Sequence, residues 1–183
     1  MIKDEYSLFR KKYIALRDLY GLDNKLVTQY CNLFYNDRLG KGELTFWANG
    51  RRKPTVDGIF TLAAFFVVSC FWLGVKDYVE NSSDYRVYSL LQVESIEENL
   101  LEQYTDLVKE FTCEEYLEEK FRAEYSKEAR ANILVLLQIL IGEKKLYPNN
   151  KATVHTTRVE NAKKDIKAVL ETKSPVKIIP EIK

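Results

Sequence analysis

The sequence predicts an all-α protein, and three observations lead to that prediction. Only four prolines and seven glycines occur among the 183 residues, and these are the residue types that most often interrupt helices. Apolar residues recur at three- and four-residue spacing along most of the chain, which is the period of one helix face. The hydrophobic content of 46% is sufficient to bury a core, so one or two small helical domains are expected.

The first two predicted helices have recognisable start and stop residues. Residues 6–20 carry an amphipathic pattern that Gly21 ends, since glycine commonly follows the last helical turn. Asp23 is a residue type that caps helix starts, and it precedes the second predicted helix, 24–35. Residues 36–40 are predicted to form a turn. The apolar side chains expected on the buried stripe of the first helix are Leu8, Phe9, Tyr13, Leu16, Leu19 and Tyr20.

Three further short helices are expected before residue 78. The third helix, 41–48, is stopped by the Asn49-Gly50 pair. Thr55 is predicted to cap the fourth helix and Ser69 the fifth, because their hydroxyls can accept a hydrogen bond from the first helical turn. Five helices in so short a segment predict a compact first domain.

Residues 79–88 are polar and turn-rich, and they are predicted to link a first domain, 1–78, to a second domain, 89–183. In the second domain, apolar residues from 90 to 111 predict one long amphipathic helix with an acidic opposite face. A helical segment with a similar pattern is expected to follow it. No internal repeat is evident.

The remainder of the second domain is predicted to contain two more helices. Residues 126–142 form the most apolar stretch and predict a buried helix. Thr157 and Glu160 have the spacing of a capping box, which predicts a last helix starting there. The proline-containing tail, 173–183, is predicted to be irregular.

Charge is segregated along the chain although the net charge is only +1. Residues 1–80 carry a net charge of +3, residues 81–125 a net charge of −8, and residues 126–183 a net charge of +6. The middle segment is expected to repel nucleic acid, whereas the two end segments are not.

Catalytic, metal and cofactor sites are not expected. Cys31, Cys70 and Cys113 are widely spaced, which favours neither a disulfide framework nor a metal site. The single histidine, His155, has no cysteine or carboxylate at ligand spacing and is expected at a surface or helix entry. Adjacent glutamates such as Glu97 and Glu98 point in different directions on a helix, so no acid–base pair is predicted. No 18-residue apolar run and no secretory signal occur, so no membrane span and a cytoplasmic location are expected.

The segment from Gly42 to Phe66, "GELTFWANGRRKPTVDGIFTLAAFF", has the most informative pattern in the chain. Leu44 and Trp47 are spaced to bury one face of the third helix. Its other positions would remain partly exposed next to a basic turn, Arg51 to Lys53, which Pro54 makes rigid. Such cations suit the phosphates of a nucleic acid backbone.

The stretch "LTFWANGRRKPTVDGIFTLAAFFVVSCFWLGV" (44–75) resembles the Cro/repressor helix-turn-helix family of phage and bacterial regulators, also called the xenobiotic-response-element type. Members show an apolar residue, Ser or Thr, a position often occupied by Trp, then Asn-Gly, basic residues, Pro and Ser or Thr. A Leu-Ala helix and a "VS…WL" helix follow, as at Leu62-Ala63, Val68-Ser69 and Trp72-Leu73 here. The resemblance extends over about residues 6 to 76.

Several positions depart from the family pattern. The turn before the third helix is longer than usual, and Gly40 and Lys41 replace a common Ser or Thr cap and a frequent base-reading Gln. Val67 stands where a glycine usually adopts a left-handed conformation, which strains a β-branched residue. Phe46 replaces a polar residue, so contact with a thymine methyl group and packing beneath the turn are both open interpretations.

The resemblance implies a five-helix repressor-like domain that binds double-stranded DNA and regulates transcription. Its second and third helices would be the helix-turn-helix, with the start of the third helix at the base edges. In this interpretation Thr45 bonds a base or phosphate, and Glu43 accepts a hydrogen bond from cytosine. The residues expected to contact DNA are Asn24, Lys25, Arg38, Lys41, Gly42, Glu43, Thr45, Phe46, Asn49, Arg51, Arg52 and Lys53.

Two roles remain open for the second domain. Its apolar stripes could pack on each other, or part of them could pair two chains into a homodimer over a palindromic operator. Alternatively, the acidic face could bind another protein, as in a phage-type antagonist of a host defence system that uses its helix-turn-helix for autoregulation. The absence of an Ala-Gly dipeptide and of β-strand patterns argues against a self-cleaving peptidase domain.

Overall fold

The computed structural model describes residues 4–35, 39–75 and 93–183. Within these ranges every regular element is helical, with eleven helices and no strand, so the all-α prediction is confirmed. Among the helices that can be described, none is both long and apolar enough to span a bilayer.

Contacts between Cα atoms divide the chain into two compact units. The first unit comprises Met1–Leu91 together with Ile178–Lys183, and the second comprises Gln92–Lys177. The last six residues of the irregular tail therefore group with the first unit. The predicted linker, 79–88, lies outside the described residues.

The described part of the first unit contains five helices, and local signals set most of their ends. The Asp23 side chain accepts a hydrogen bond from the Leu26 amide at 2.8 Å, and Thr55 accepts one from the Gly58 amide at 3.1 Å. Ser69 occupies its predicted cap position without a side-chain capping bond. The helices are α1 (Ser7–Leu19), α2 (Asn24–Phe34), α3 (Glu43–Ala48), α4 (Val56–Phe66) and α5 (Cys70–Leu73).

The core of the first unit is rich in aromatic side chains. On α1, the predicted stripe is wrong at Leu8, which is 40% exposed, whereas Lys12 is buried. Lys12 can be accommodated because its Nζ donates to the Trp72 carbonyl at 2.5 Å and lies 4.7 Å from the centre of the Trp72 ring system. The largest fully buried aromatic side chains here are Phe9, Tyr13, Tyr30, Trp47, Phe60 and Phe65.

Val67 ends α4 in the left-handed conformation, with φ 51° and ψ 49°. The Val67 amide donates to the Ala64 carbonyl and the Val68 amide to the Ala63 carbonyl, which satisfies the end of the helix. The expected left-handed position is therefore confirmed. A valine in this conformation stores about 1–3 kcal/mol of strain.

The second unit contains six helices among its described residues. The prediction of a single long helix over 90–111 is wrong, because the helix is interrupted at Tyr104, where φ is −131° and ψ is 32°. Just beyond the break, the Thr105 hydroxyl donates to the Leu101 carbonyl. The helices are α6 (Val93–Gln103), α7 (Thr105–Phe111), α8 (Glu114–Leu117), α9 (Glu119–Arg122), α10 (Lys127–Leu146) and α11 (Thr153–Thr172).

The predicted capping box at Thr157 and Glu160 is also wrong, because α11 begins earlier, at Thr153. Asn150 organises this helix entry by accepting a hydrogen bond from the Ala152 amide at 2.9 Å. An Asx turn therefore precedes the helix, and Thr157 lies within the helix itself.

Helix α10 is the centre of the second unit and packs against α6, α7 and α11. Every residue from Asn132 to Glu143 is buried, so the apolar stripe of this helix is covered within the chain itself. The Asn132 side chain accepts hydrogen bonds from the Val176 and Lys177 amides at 2.9 and 2.6 Å and donates to the Lys177 carbonyl at 3.0 Å. One buried carboxamide thereby fixes the irregular segment after α11.

Glu97 of α6 is only 2% exposed, and three side chains hydrogen-bond or ion-pair with its carboxylate. Tyr116 donates to its carboxylate at 2.7 Å, Arg122 Nε lies 3.1 Å from Oε2, and Arg130 forms a further ion pair with it. Burial, followed by the charge of Glu97, raises the pKa of Tyr116 far above its ordinary value, so the hydroxyl remains a donor.

We expect Gly58→Ala to destabilise the first unit. A Cβ at this position would lie 2.7 Å from Cζ3 of the Trp47 ring and closer still to Cη2, so overpacking should cost about 2 kcal/mol despite the better helix propensity of alanine. Tryptophan fluorescence during urea unfolding measures this, because both tryptophans, Trp47 and Trp72, lie in the first unit. Gly40→Ala is the matched control, since its Cβ would make an ordinary 3.5 Å contact. Equal stability of the two variants would contradict the prediction.

We expect Glu97→Ala to destabilise the second unit by about 3 kcal/mol, because it leaves two partly buried arginines without their counter-charge. Glu98→Ala is the control, since Glu98 is the adjacent exposed residue on the same helix. Hydrogen exchange of the α10 amides is the measurement. Protection should fall in the first variant and stay unchanged in the second.

Candidate nucleic-acid interface

Helix α3 is short, and two buried side chains hold it in place. Leu44 is fully buried and Trp47 is 1% exposed, as the sequence predicted. The Trp47 ring packs edge-on against Phe9 of α1, with centroids 6.3 Å apart, and against Gly58 of α4. The opposite face of α3 leaves Thr45 exposed and Phe46 half-buried.

The beginning of α2 is tied to α3 through Asn24. The Asn24 carboxamide accepts hydrogen bonds from Tyr13 Oη at 2.7 Å and Arg17 Nη1 at 3.1 Å, and it donates to Thr45 Oγ1 at 3.3 Å. Burial is the main reason that the pKa of Tyr13 is raised well above its ordinary value, so its hydroxyl keeps its proton. Three helices therefore meet at one amide group.

A groove of about 460 Å³ runs between α2 and α3. Five of the residues predicted to contact DNA line it: Asn24, Lys25, Lys41, Gly42 and Thr45. The other lining residues are Thr28, Gln29, Asn32, Leu39 and Leu44. Asn32 fixes the wall near the end of α2, because its side chain exchanges two hydrogen bonds with the backbone of Leu39, at 2.8 and 3.1 Å.

Two of the residues predicted to contact DNA, Gly42 and Glu43, shape the start of α3. Gly42 begins the helix with φ 76°, a left-handed conformation that suits glycine. Glu43 is half-buried, and its Oε2 accepts a hydrogen bond from the Gly40 amide at 2.9 Å. The carboxylate predicted to meet a cytosine is therefore already engaged in closing the turn before α3.

The basic turn after α3 is attached to the helix end. The Arg51 and Arg52 amides both donate to the Phe46 carbonyl, at 2.9 and 3.3 Å. The Arg52 guanidinium lies over the Phe46 ring at 4.9 Å, an arrangement in which the ring supports the cation. Asn49, Arg51, Arg52 and Lys53 are all exposed.

Arg10 is a cation near this turn that the sequence analysis missed. A Cβ built on Gly50 would lie 3.2 Å from Arg10 Cζ, so the guanidinium of α1 lies beside the turn. It forms an ion pair with Asp4. No local pattern indicates this, because the proximity arises only when α1 packs across α3. Arg38, which was predicted to contact DNA, lies outside the described residues.

His155 lies at a helix entry, as predicted, and it has a carboxylate partner that sequence spacing did not indicate. It lies in the first turn of α11 and contacts Glu143 near the end of α10, a carboxylate distant in sequence spacing. Arg158 Nη1 also donates to Glu143, at 2.5 Å. These three side chains form one polar cluster in which Glu143 is buried and the other two are half-buried. Across the described ranges, no group of three His, Cys, Asp or Glu residues could hold a metal ion.

Comparisons with protein-family models, curated proteins and solved structures found no match to this chain.

Proposed function

We propose that the first unit is a repressor-like helix-turn-helix domain that binds double-stranded DNA, and that the protein is a cytoplasmic transcriptional regulator without catalytic activity of its own. The observation that supports this most is the attachment of the basic turn to α3. A single carbonyl, that of Phe46, accepts two amides of the turn, so the exposed face of α3 and the cations beside it have a fixed relation.

This arrangement suits the major groove. Thr45 lies in the first part of α3, and the first residues of a recognition helix are those that reach base edges. Lys25 and Lys41 line the protein's own groove between α2 and α3, beside Thr45. The basic turn lies at the other end of α3. Cations on both sides of a short exposed helix can bind the phosphates that flank a groove.

Arg10 extends the proposed phosphate-binding surface. Its guanidinium already pairs with the Asp4 carboxylate, an oxygen anion with the same hydrogen-bonding preferences as a phosphate. On DNA, a phosphate would replace Asp4 as its partner. The role of Arg10 is thus proposed from its position beside Gly50 and not from sequence spacing.

The basic turn gives the most direct test of DNA binding. We expect the combined variant Arg51→Ala, Arg52→Ala, Lys53→Ala to lose at least about tenfold in affinity for a duplex from its own promoter region. The slope of the logarithm of the binding constant against the logarithm of the salt concentration should become shallower by about 0.9 for each lost phosphate contact. Fluorescence anisotropy at several salt concentrations, with random competitor DNA, measures both quantities.

The matched control is Lys163→Ala, Lys164→Ala, Lys167→Ala, which removes the same charge from exposed positions on α11. Its affinity should stay within about twofold of the unchanged protein, since these lysines belong to the second unit and are not part of the proposed interface. Equal losses in the two variants would reduce the interaction to net charge. Binding erased by competitor DNA in the unchanged protein would contradict sequence-specific recognition.

We also propose that two copies bind a palindromic operator, because one small module makes few base contacts. Sedimentation velocity with a duplex carrying two half-sites, spaced about one helical turn apart, should give two chains per duplex. A duplex with one half-site should bind one chain at least about tenfold more weakly. One chain bound to the full duplex at saturation would contradict this proposal.

A further inference from the structure

The hydrogen bonds around Asn24 have only one consistent direction. Arginine can donate hydrogen bonds but cannot accept them, so the Asn24 atom that faces Arg17 Nη1 must be the amide oxygen. Tyr13, whose hydroxyl is buried and protonated, donates to the same oxygen. The orientation of the carboxamide is therefore determined by two donors on α1, at positions one helical turn apart.

This orientation determines the state of the Thr45 hydroxyl. The Asn24 nitrogen faces Thr45 Oγ1 at 3.3 Å, and an amide nitrogen donates but does not accept. Oγ1 is thus the acceptor in this contact, and its own proton must point elsewhere. Thr28 and Thr61 differ, because their hydroxyls donate to the carbonyls four residues earlier in their helices.

We propose that Tyr13, Arg17 and Asn24 are positioning residues that present Thr45 to DNA as a hydrogen-bond donor. This inference rests on the proposed function. The operator should then have an acceptor atom opposite Thr45: guanine O6 or N7, adenine N7 or thymine O4. The exposed position of Thr45 at the start of α3 allows its proton to reach a base edge.

Selection from a pool of randomised duplexes tests the inference with Thr45→Val and Asn24→Asp. Valine has the shape of threonine without its hydroxyl, so discrimination at one operator position should fall about three- to tenfold. An aspartate carboxylate accepts a hydrogen bond from the Thr45 hydroxyl. The direction of the hydrogen bond is then reversed, and Oγ1 is left as an acceptor toward DNA. Preference at the same position should then shift to a donor edge, cytosine N4 or adenine N6.

Thr61→Val is the matched control. It makes the same chemical change within the first unit, but at a hydroxyl of α4 that does not line the groove and is committed to the Asp57 carbonyl. Its base preferences should equal those of the unchanged protein. Thermal unfolding of each variant verifies that the fold is retained.

The base preference, and not the overall affinity, decides the result. Asn24→Asp adds a negative charge near DNA and lowers affinity for every sequence, but only a reversed hydrogen bond changes which base is selected. If both variants select the same bases as the unchanged protein, Thr45 binds a phosphate or nothing, and the inference is wrong while the proposed function stands. If the unchanged protein selects no sequence, the proposed function itself is wrong.

Discussion

Burial of the Trp47 side chain is the constraint on which the candidate interface depends. Helix α3 has six residues, too few to be stable in isolation. Its position is fixed because Trp47 packs between Phe9 of α1 and the bare backbone of Gly58 in α4. The carbonyl of the preceding residue, Phe46, then receives the two amides of the basic turn. The buried Trp47 side chain thereby fixes the positions of the exposed residues on either side of it.

Features determined by neighbouring residues could be predicted from the sequence. Asp23 and Thr55 cap helices where expected, and Val67 adopts the expected left-handed conformation. Each of these depends on a backbone group within about four residues, so the sequence contains the necessary information. The burial of Leu44 and Trp47 followed in the same way from helical spacing. Helical spacing did not indicate which residues cover these two side chains.

Features that join distant parts of the chain could not be predicted. Arg10 lies beside Gly50, and Glu143 contacts His155, only because separate helices pack together. The break at Tyr104 illustrates a second limit. Apolar spacing reports which face of a helix is buried, and it continues across a break when the next helix buries the same face. Helical periodicity therefore could not distinguish one long helix from two.

Internal donors occupy three acceptors at the candidate interface. Asn24 Oδ1 accepts hydrogen bonds from Tyr13 and Arg17, Glu43 Oε2 accepts one from the Gly40 amide, and the Phe46 carbonyl accepts two from amides of the basic turn. The cations of the basic turn are exposed, and in the proposed arrangement the Thr45 hydroxyl adds a further donor toward DNA. DNA presents acceptors along its backbone and mostly acceptors on its purine edges. The complementarity to DNA that we propose thus rests on which hydrogen-bonding groups the fold uses internally, and not only on the positive charge of the turn.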